Sequence, residues 1–145
     1  MTLTFRNLTV SPDDPVDRWG FEGLLAAVER GDIRDWHRIA GELMRNPRGK
    51  VAAELVEVSE VAESTAIPLL LRRVLRRSLE ESDALDRREV VDELQRHLKD
   101  SGLSRAEFAA RLGTSQSRLS TYLSGKVVPS AAVLVRARRI PQLPR

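Results

Sequence analysis

Residues 104–125 read SRAEFAARLGTSQSRLSTYLSG, two short helix signatures separated by a single glycine. Ser104 with Glu107 three residues later has the spacing of a capping box, so a helix can begin abruptly after Gly102-Leu103. Phe108, Ala109 and Leu112 share its inner side. Gly113 supplies the left-handed backbone that a tight turn requires, and Ser115 can cap a second helix whose Leu119 and Tyr122 point back at Phe108 and Leu112. Ala109 is small enough for the two helices to cross closely. The inner face being committed in this way, Gln116, Ser117, Arg118, Ser120 and Thr121 are left on or near the outer face of the second helix. All are short or bidentate hydrogen-bonding groups.

Charge accumulates around this motif. From Gly102 to Arg145 eight basic residues face one acid, Glu107, a net +7, whereas the first 64 residues carry eight basic and twelve acidic groups, a net −4. The chain total of +3 hides this asymmetry. A polyanion would therefore meet the C-terminal end.

Upstream, the apolar residues recur at helical spacing. Phe21, Leu24, Leu25 and Val28 form one stripe that ends at Gly31. Asp32 can cap a second helix in which Ile33, Trp36, Ala40, Leu43 and Met44 share a face, until Asn46-Pro47 stops the pattern. Val51, Leu55, Val58 and Ala62 predict a third helix from about Lys50 to Glu63. Pro68 sits where a first-turn proline is tolerated, and Ile67, Leu70, Leu71, Val74 and Leu75 trace a fourth. The arginines 72, 73, 76 and 77 on its other side read as a solvated face. Residues 80–87, EESDALDR, read as a polar break before a fifth helix over Val90, Val91, Leu94 and Leu98. A domain boundary is accordingly expected near residue 84, separating a helical N-terminal region (1–84) from the segment that holds the motif (85–145).

Composition sets the outer limits. With 145 residues, 41% of them hydrophobic and only 4% aromatic, the chain can bury a core and favours helices over sheet. An all-α fold is expected, an N-terminal helical bundle followed by the motif-bearing domain. There is no cysteine, hence no disulfide framework or thiolate site. His37 and His97 fall on different helices without a set of acids at ligand spacing, so no metal or other cofactor is expected. Trp19 and Trp36 read as core anchors. The leader MTLTFRNLTVSPDDP lacks the basic start and apolar run of a secretion signal, and no 18-residue apolar stretch follows, which points to the cytoplasm. No phosphate-binding glycine loop or paired nucleophile and base is visible, so an enzyme is not expected.

From about Arg88 to Ile140, and most closely over LSRAEFAARLGTSQSRLSTYLSGKVVPS, the chain resembles the helix-turn-helix domain of the Cro and phage-repressor (XRE) family. The likeness lies in the alanine of the first motif helix, the Leu-Gly turn, the Ser-Gln start of the second helix and the Ser-Gly-Lys exit. Thr114, where a larger apolar residue is frequent, and Tyr122, often Trp, depart mildly from the pattern. The resemblance implies a five-helix, lambda-repressor-like domain whose third helix enters the DNA major groove, usually in a homodimer reading half-sites ~34 Å apart. It further implies base contacts from Gln116, Ser117, Arg118 and Thr121. Phosphate contacts would fall to Ser104, Arg105, Ser115, Ser120 and Lys126. The N-terminal region resembles, more distantly, antitoxins and mobile-element regulators, which implies a dimerising or partner-binding role. Two functions follow as expectations: a dimeric autorepressor on a palindromic operator, nucleoid-associated when bound, or an antitoxin-type protein whose N-terminal helices neutralise a partner.

Overall fold

The computed structural model describes residues 2–6 and 9–144, and every regular element among them is helical. A 3-10 turn at Val16–Arg18 precedes α1 (Gly20–Arg30), α2 (Ile33–Arg45), α3 (Lys50–Val61), α4 (Ala66–Ser101), α5 (Arg105–Leu112), α6 (Gln116–Leu123) and α7 (Ala131–Arg139). The all-α expectation therefore holds. The chain divides into two compact units, Met1–Ser82 and Asp83–Arg145.

In the first unit the predicted caps do what their chemistry requires. Gly31 closes α1 by donating its N–H to the Ala27 carbonyl at 2.9 Å. Asp32 accepts from the Arg34 N–H while Asp35 reaches back to the Asp32 N–H, a reciprocal box that starts α2. Leu24, Ala27 and Val28 of α1, Ile39 and Leu43 of α2, Val51, Leu55 and Val58 of α3, and Leu71 and Leu75 of α4 form one buried cluster. Both tryptophans are tied by their indole N–H groups, Trp19 to the Asp14 carbonyl and Trp36 to the Ala27 carbonyl, each at 2.9 Å, but Trp36 is only half-buried and stands outside the buried cluster, so of the two expected core anchors Trp19 alone is one. Trp19 is almost wholly buried; Phe5 meets it edge-on at 5.4 Å, and the Arg38 guanidinium lies 4.8 Å from its ring centre.

Two stripes turn out differently. Ile33 and Met44 are exposed at the two ends of α2, and the face that packs is centred on Ile39 and Leu43. Leu70 is exposed as well, since the buried line of α4 runs through Leu71, Leu75 and Ser78. Both differences come from reading width: an i, i+3, i+4 pattern fits more residues than a helix resting on its neighbours can cover.

The expected break at 80–87 is a third difference, because α4 runs unbroken from Ala66 to Ser101. Leu79 to Glu89 contains no glycine or proline, and Arg77 pairs with Glu81 at 3.0 Å one turn on. A polar stretch without breakers stays helical when its residues are simply solvated, and residues 83–89 are all exposed.

The second unit comprises the C-terminal part of α4 followed by α5, α6 and α7, with a core of Leu94, Phe108, Ala109, Leu112, Leu119, Tyr122, Leu123, Val133, Ala137 and Ile140. The resemblance implied five helices here, and the described residues form four helical segments. After Ile140 the chain passes Pro141 and Pro144 and does not re-enter a helix. Instead the Leu143 N–H donates to the Asp100 carbonyl at 2.8 Å, laying the tail against the end of α4.

Candidate nucleic-acid interface

Helix α5, with the turn into α6, is set mainly by local hydrogen bonds. At its start the Glu107 N–H donates to Ser104 Oγ at 3.2 Å and the Ser104 N–H donates to Glu107 Oε2 at 2.8 Å. That second bond holds the Glu107 carboxyl below the ordinary glutamate range. At its end Gly113 is left-handed, φ 73°, and two N–H groups fold back: Gly113 to the Ala110 carbonyl at 3.1 Å and Thr114 to the Ala109 carbonyl at 3.0 Å. This pair of bonds is a Schellman closure. Ser115 then caps α6 by accepting the Arg118 N–H at 3.1 Å.

Packing sets which side of α6 is free. Leu119, Tyr122 and Leu123 are buried with Phe108, Ala109 and Leu112 of α5, and the small Ala109 is 1% exposed. Arg136 of α7 donates from Nη1 to the Leu112 carbonyl at 3.0 Å, satisfying a carbonyl that the end of α5 leaves without a helical partner. Gln95 of α4 donates to the Leu123 carbonyl at 3.3 Å and fixes the other end of α6.

Gln116, Ser117, Arg118 and Ser120 are exposed on α6, and Thr121 is half-buried. Their hydrogen bonds separate them. The Ser117 and Ser115 hydroxyls lie 3.3 Å apart, the Thr121 hydroxyl donates to the Arg118 carbonyl at 2.6 Å, and the Ser120 hydroxyl donates to the Gln116 carbonyl at 3.2 Å. Arg118 donates from Nε to the Tyr122 hydroxyl at 3.2 Å with its guanidinium 5.9 Å from the ring centre. The Gln116 amide has no such partner among the described residues. It is the one group of the predicted readout set with both its donor and its acceptor uncommitted.

Ser104, Arg105, Ser115 and Lys126 are exposed around this face. Arg105 and Ser120 come together on a groove of about 410 Å³ that Lys99 and Ser124 also border. The sequence reading missed Lys99 and Ser124. Lys99 lies in the last turn of α4, where a cation reads first as a partner of the helix dipole.

Arg138 and Arg136 do not belong to this face in the same way. Arg138 is paired with Glu93 of α4 and Arg136 with the end of α5, so much of the basic charge of α7 holds the unit together. No group of three or more acids or histidines placed to hold a metal occurs among the described residues. No helix among them is long and apolar enough to cross a membrane.

No curated protein and no solved structure matches the chain. The model of the helix-turn-helix domain family matches residues 70–145, more than half of the 145 residues. With the turn, the buried inner face and the polar outer face of α6 in place, the chain belongs to the helix-turn-helix domain family and its C-terminal half is a DNA-binding domain of that kind.

Proposed function

We propose that this protein is a sequence-specific transcription regulator of the Cro and phage-repressor type, acting as a homodimeric autorepressor on a palindromic operator. The observation that carries the reading is the locked geometry of α6: its apolar side is spent on α5, and its exposed side presents Gln116, Ser117 and Arg118, with Thr121 half-buried beside them. A helix fixed in this way enters the major groove as a rigid body, and a glutamine amide with donor and acceptor free matches the N6 and N7 edge of adenine. Gln116, Ser117, Arg118 and Thr121 read bases. Ser104, Arg105, Ser115, Ser120 and Lys126 hold phosphates and set register. The protein works in the cytoplasm, on the nucleoid when bound, and needs no cofactor.

In this reading residues 85–145 are the reading head and residues 1–84 supply the contact with a second copy or another protein. A second reading, an antitoxin-type protein whose N-terminal helices neutralise a partner, is favoured by the exposed Val56, Val61, Leu69 and Leu70 of α3 and α4, apolar surface that a partner could cover.

The test is binding of the full chain to the DNA upstream of its own gene against a scrambled duplex, at low and near-physiological salt. Specific binding at the higher salt, with a footprint of two symmetric half-sites, is expected. Sequence-blind binding that vanishes with salt would overturn the operator reading.

A further inference from the structure

Lys99 at the end of α4 and Arg105 at the start of α5 border the same groove, lined also by Leu98, Leu123, Ser120 of α6 and Ser124 just after it. Neither cation has an ion pair or hydrogen bond among the described residues. Two cations turned onto one concavity repel each other unless an anion lies between them. No acid lines the groove, and Glu107 and Glu93 are engaged with the Ser104 N–H and with Arg138. The two serine hydroxyls lie one turn apart along α6, donating to the Gln116 and Thr121 carbonyls at 3.2 Å each. Gln95, by holding the Leu123 carbonyl, keeps the end of α6 at the groove edge.

We infer that this groove is a phosphate seat in which Lys99 and Arg105 jointly grip one phosphodiester of the DNA backbone, beside the strand that α6 reads. The inference rests on the DNA-binding reading and adds to it Lys99, from a helix outside the turn motif, as the second arm of a clamp. Such a clamp sets the register of α6 along the groove and carries no sequence information of its own.

The full chain and a duplex selected by it from a random pool give the test. Lys99→Gln is expected to weaken all sequences alike, to leave the base preferences unchanged and to lower the slope of log K against log salt by up to about one. Lys99→Arg should restore the slope. Neutral methylphosphonates placed singly along the duplex should reveal one position whose weakening effect is largest in the wild type and reduced in both Lys99→Gln and Arg105→Gln. An unchanged salt slope in Lys99→Gln, or reduced effects at different positions for the two variants, would overturn the shared seat while leaving DNA binding intact. Failure of the wild type to select or retain any duplex would instead sink the DNA-binding reading, and the seat with it.

Discussion

Arg138 of α7 forks onto Glu93 of α4, its Nε 2.6 Å from Oε1 and its Nη2 3.3 Å from Oε2, across 45 residues of sequence. His97 Nε2 lies 3.5 Å from the same Oε1. The Arg138 guanidinium foremost, with His97 adding to it, holds the Glu93 carboxyl below the ordinary glutamate range. A carboxyl whose folded pKa is depressed contributes stability that is fully present above its unfolded value and is lost as the pH falls through the folded one.

The melting temperature should therefore drop as the pH is taken from neutrality to below about 4. In Glu93→Gln the acid limb should be shallower, with a lower starting point at neutral pH. Thermal melts by circular dichroism from pH 7 to pH 3 check this, and an acid limb identical to that of the wild type would show that the fork contributes nothing.

Gly113→Ala should destabilise the C-terminal unit by about 1–2 kcal/mol, because a left-handed φ of 73° costs an alanine roughly that much. The added Cβ would lie 3.3 Å from Arg136 Nη1, the end of a side chain that can yield, so backbone strain rather than collision decides the sign. Urea denaturation measures it. A variant as stable as the wild type would mean that the turn relaxes out of the left-handed region.

Ser104→Ala should cost about 1 kcal/mol of stability, since it removes the acceptor of the Glu107 N–H at the start of α5. If Ser104 also touches a phosphate, the variant should weaken DNA binding further than its stability loss explains. Comparing binding well below the melting temperature with the denaturation curve separates the two effects.

Gln116→Ala should relax discrimination at one base pair by about 1–3 kcal/mol, while Arg105→Ala and Lys126→Ala should weaken every sequence alike and flatten the salt dependence. Competition binding with single-base operator variants distinguishes the patterns. Retained specificity in Gln116→Ala would remove this residue from the readout set.

Tyr122→Phe keeps the buried ring and deletes the hydroxyl that receives the Arg118 Nε hydrogen bond. Stability should change by less than about 1.5 kcal/mol. Arg118, released from its tether, should read its base less sharply, so the variant should show a weaker version of the Arg118→Ala specificity profile. Identical profiles for Tyr122→Phe and wild type would mean that the tether does not orient the guanidinium for readout.

Much of the candidate interface is legible in residues 104–125 because its determinants are local. The Ser104–Glu107 box, the Gly113 turn and the Ser115 cap each join groups within a few residues, and the structure forms all three. Burial of Phe108, Leu112, Leu119 and Tyr122 follows from helical spacing in the same way. The Gly31 end of α1, the Asp32 cap of α2 and most core positions of α1 to α3 are equally open to inspection, since glycine, proline and short polar side chains bias the backbone wherever they stand.

Other features are relations between distant segments, and spacing along the chain cannot express them. Whether Ile33, Met44 and Leu70 are covered depends on which helix lies opposite, and they are exposed. Residues 80–87 are polar both in a loop and in a solvated helix, and only the path of α4 tells the two apart. The arginines of α7 look alike in sequence, yet Arg138 is committed to Glu93 and Arg136 to the Leu112 carbonyl. Lys99 gains its interest only because folding places it across a groove from Ser120 and Ser124. The sequence by itself determined most of the helices, the Asp32, Ser104 and Ser115 caps and the Gly113 turn, through forces that act within one or two helical turns. Which charges are spent on holding the unit together and which remain for a phosphate was decided by the tertiary structure, because an ion pair needs two side chains within about 4 Å of each other.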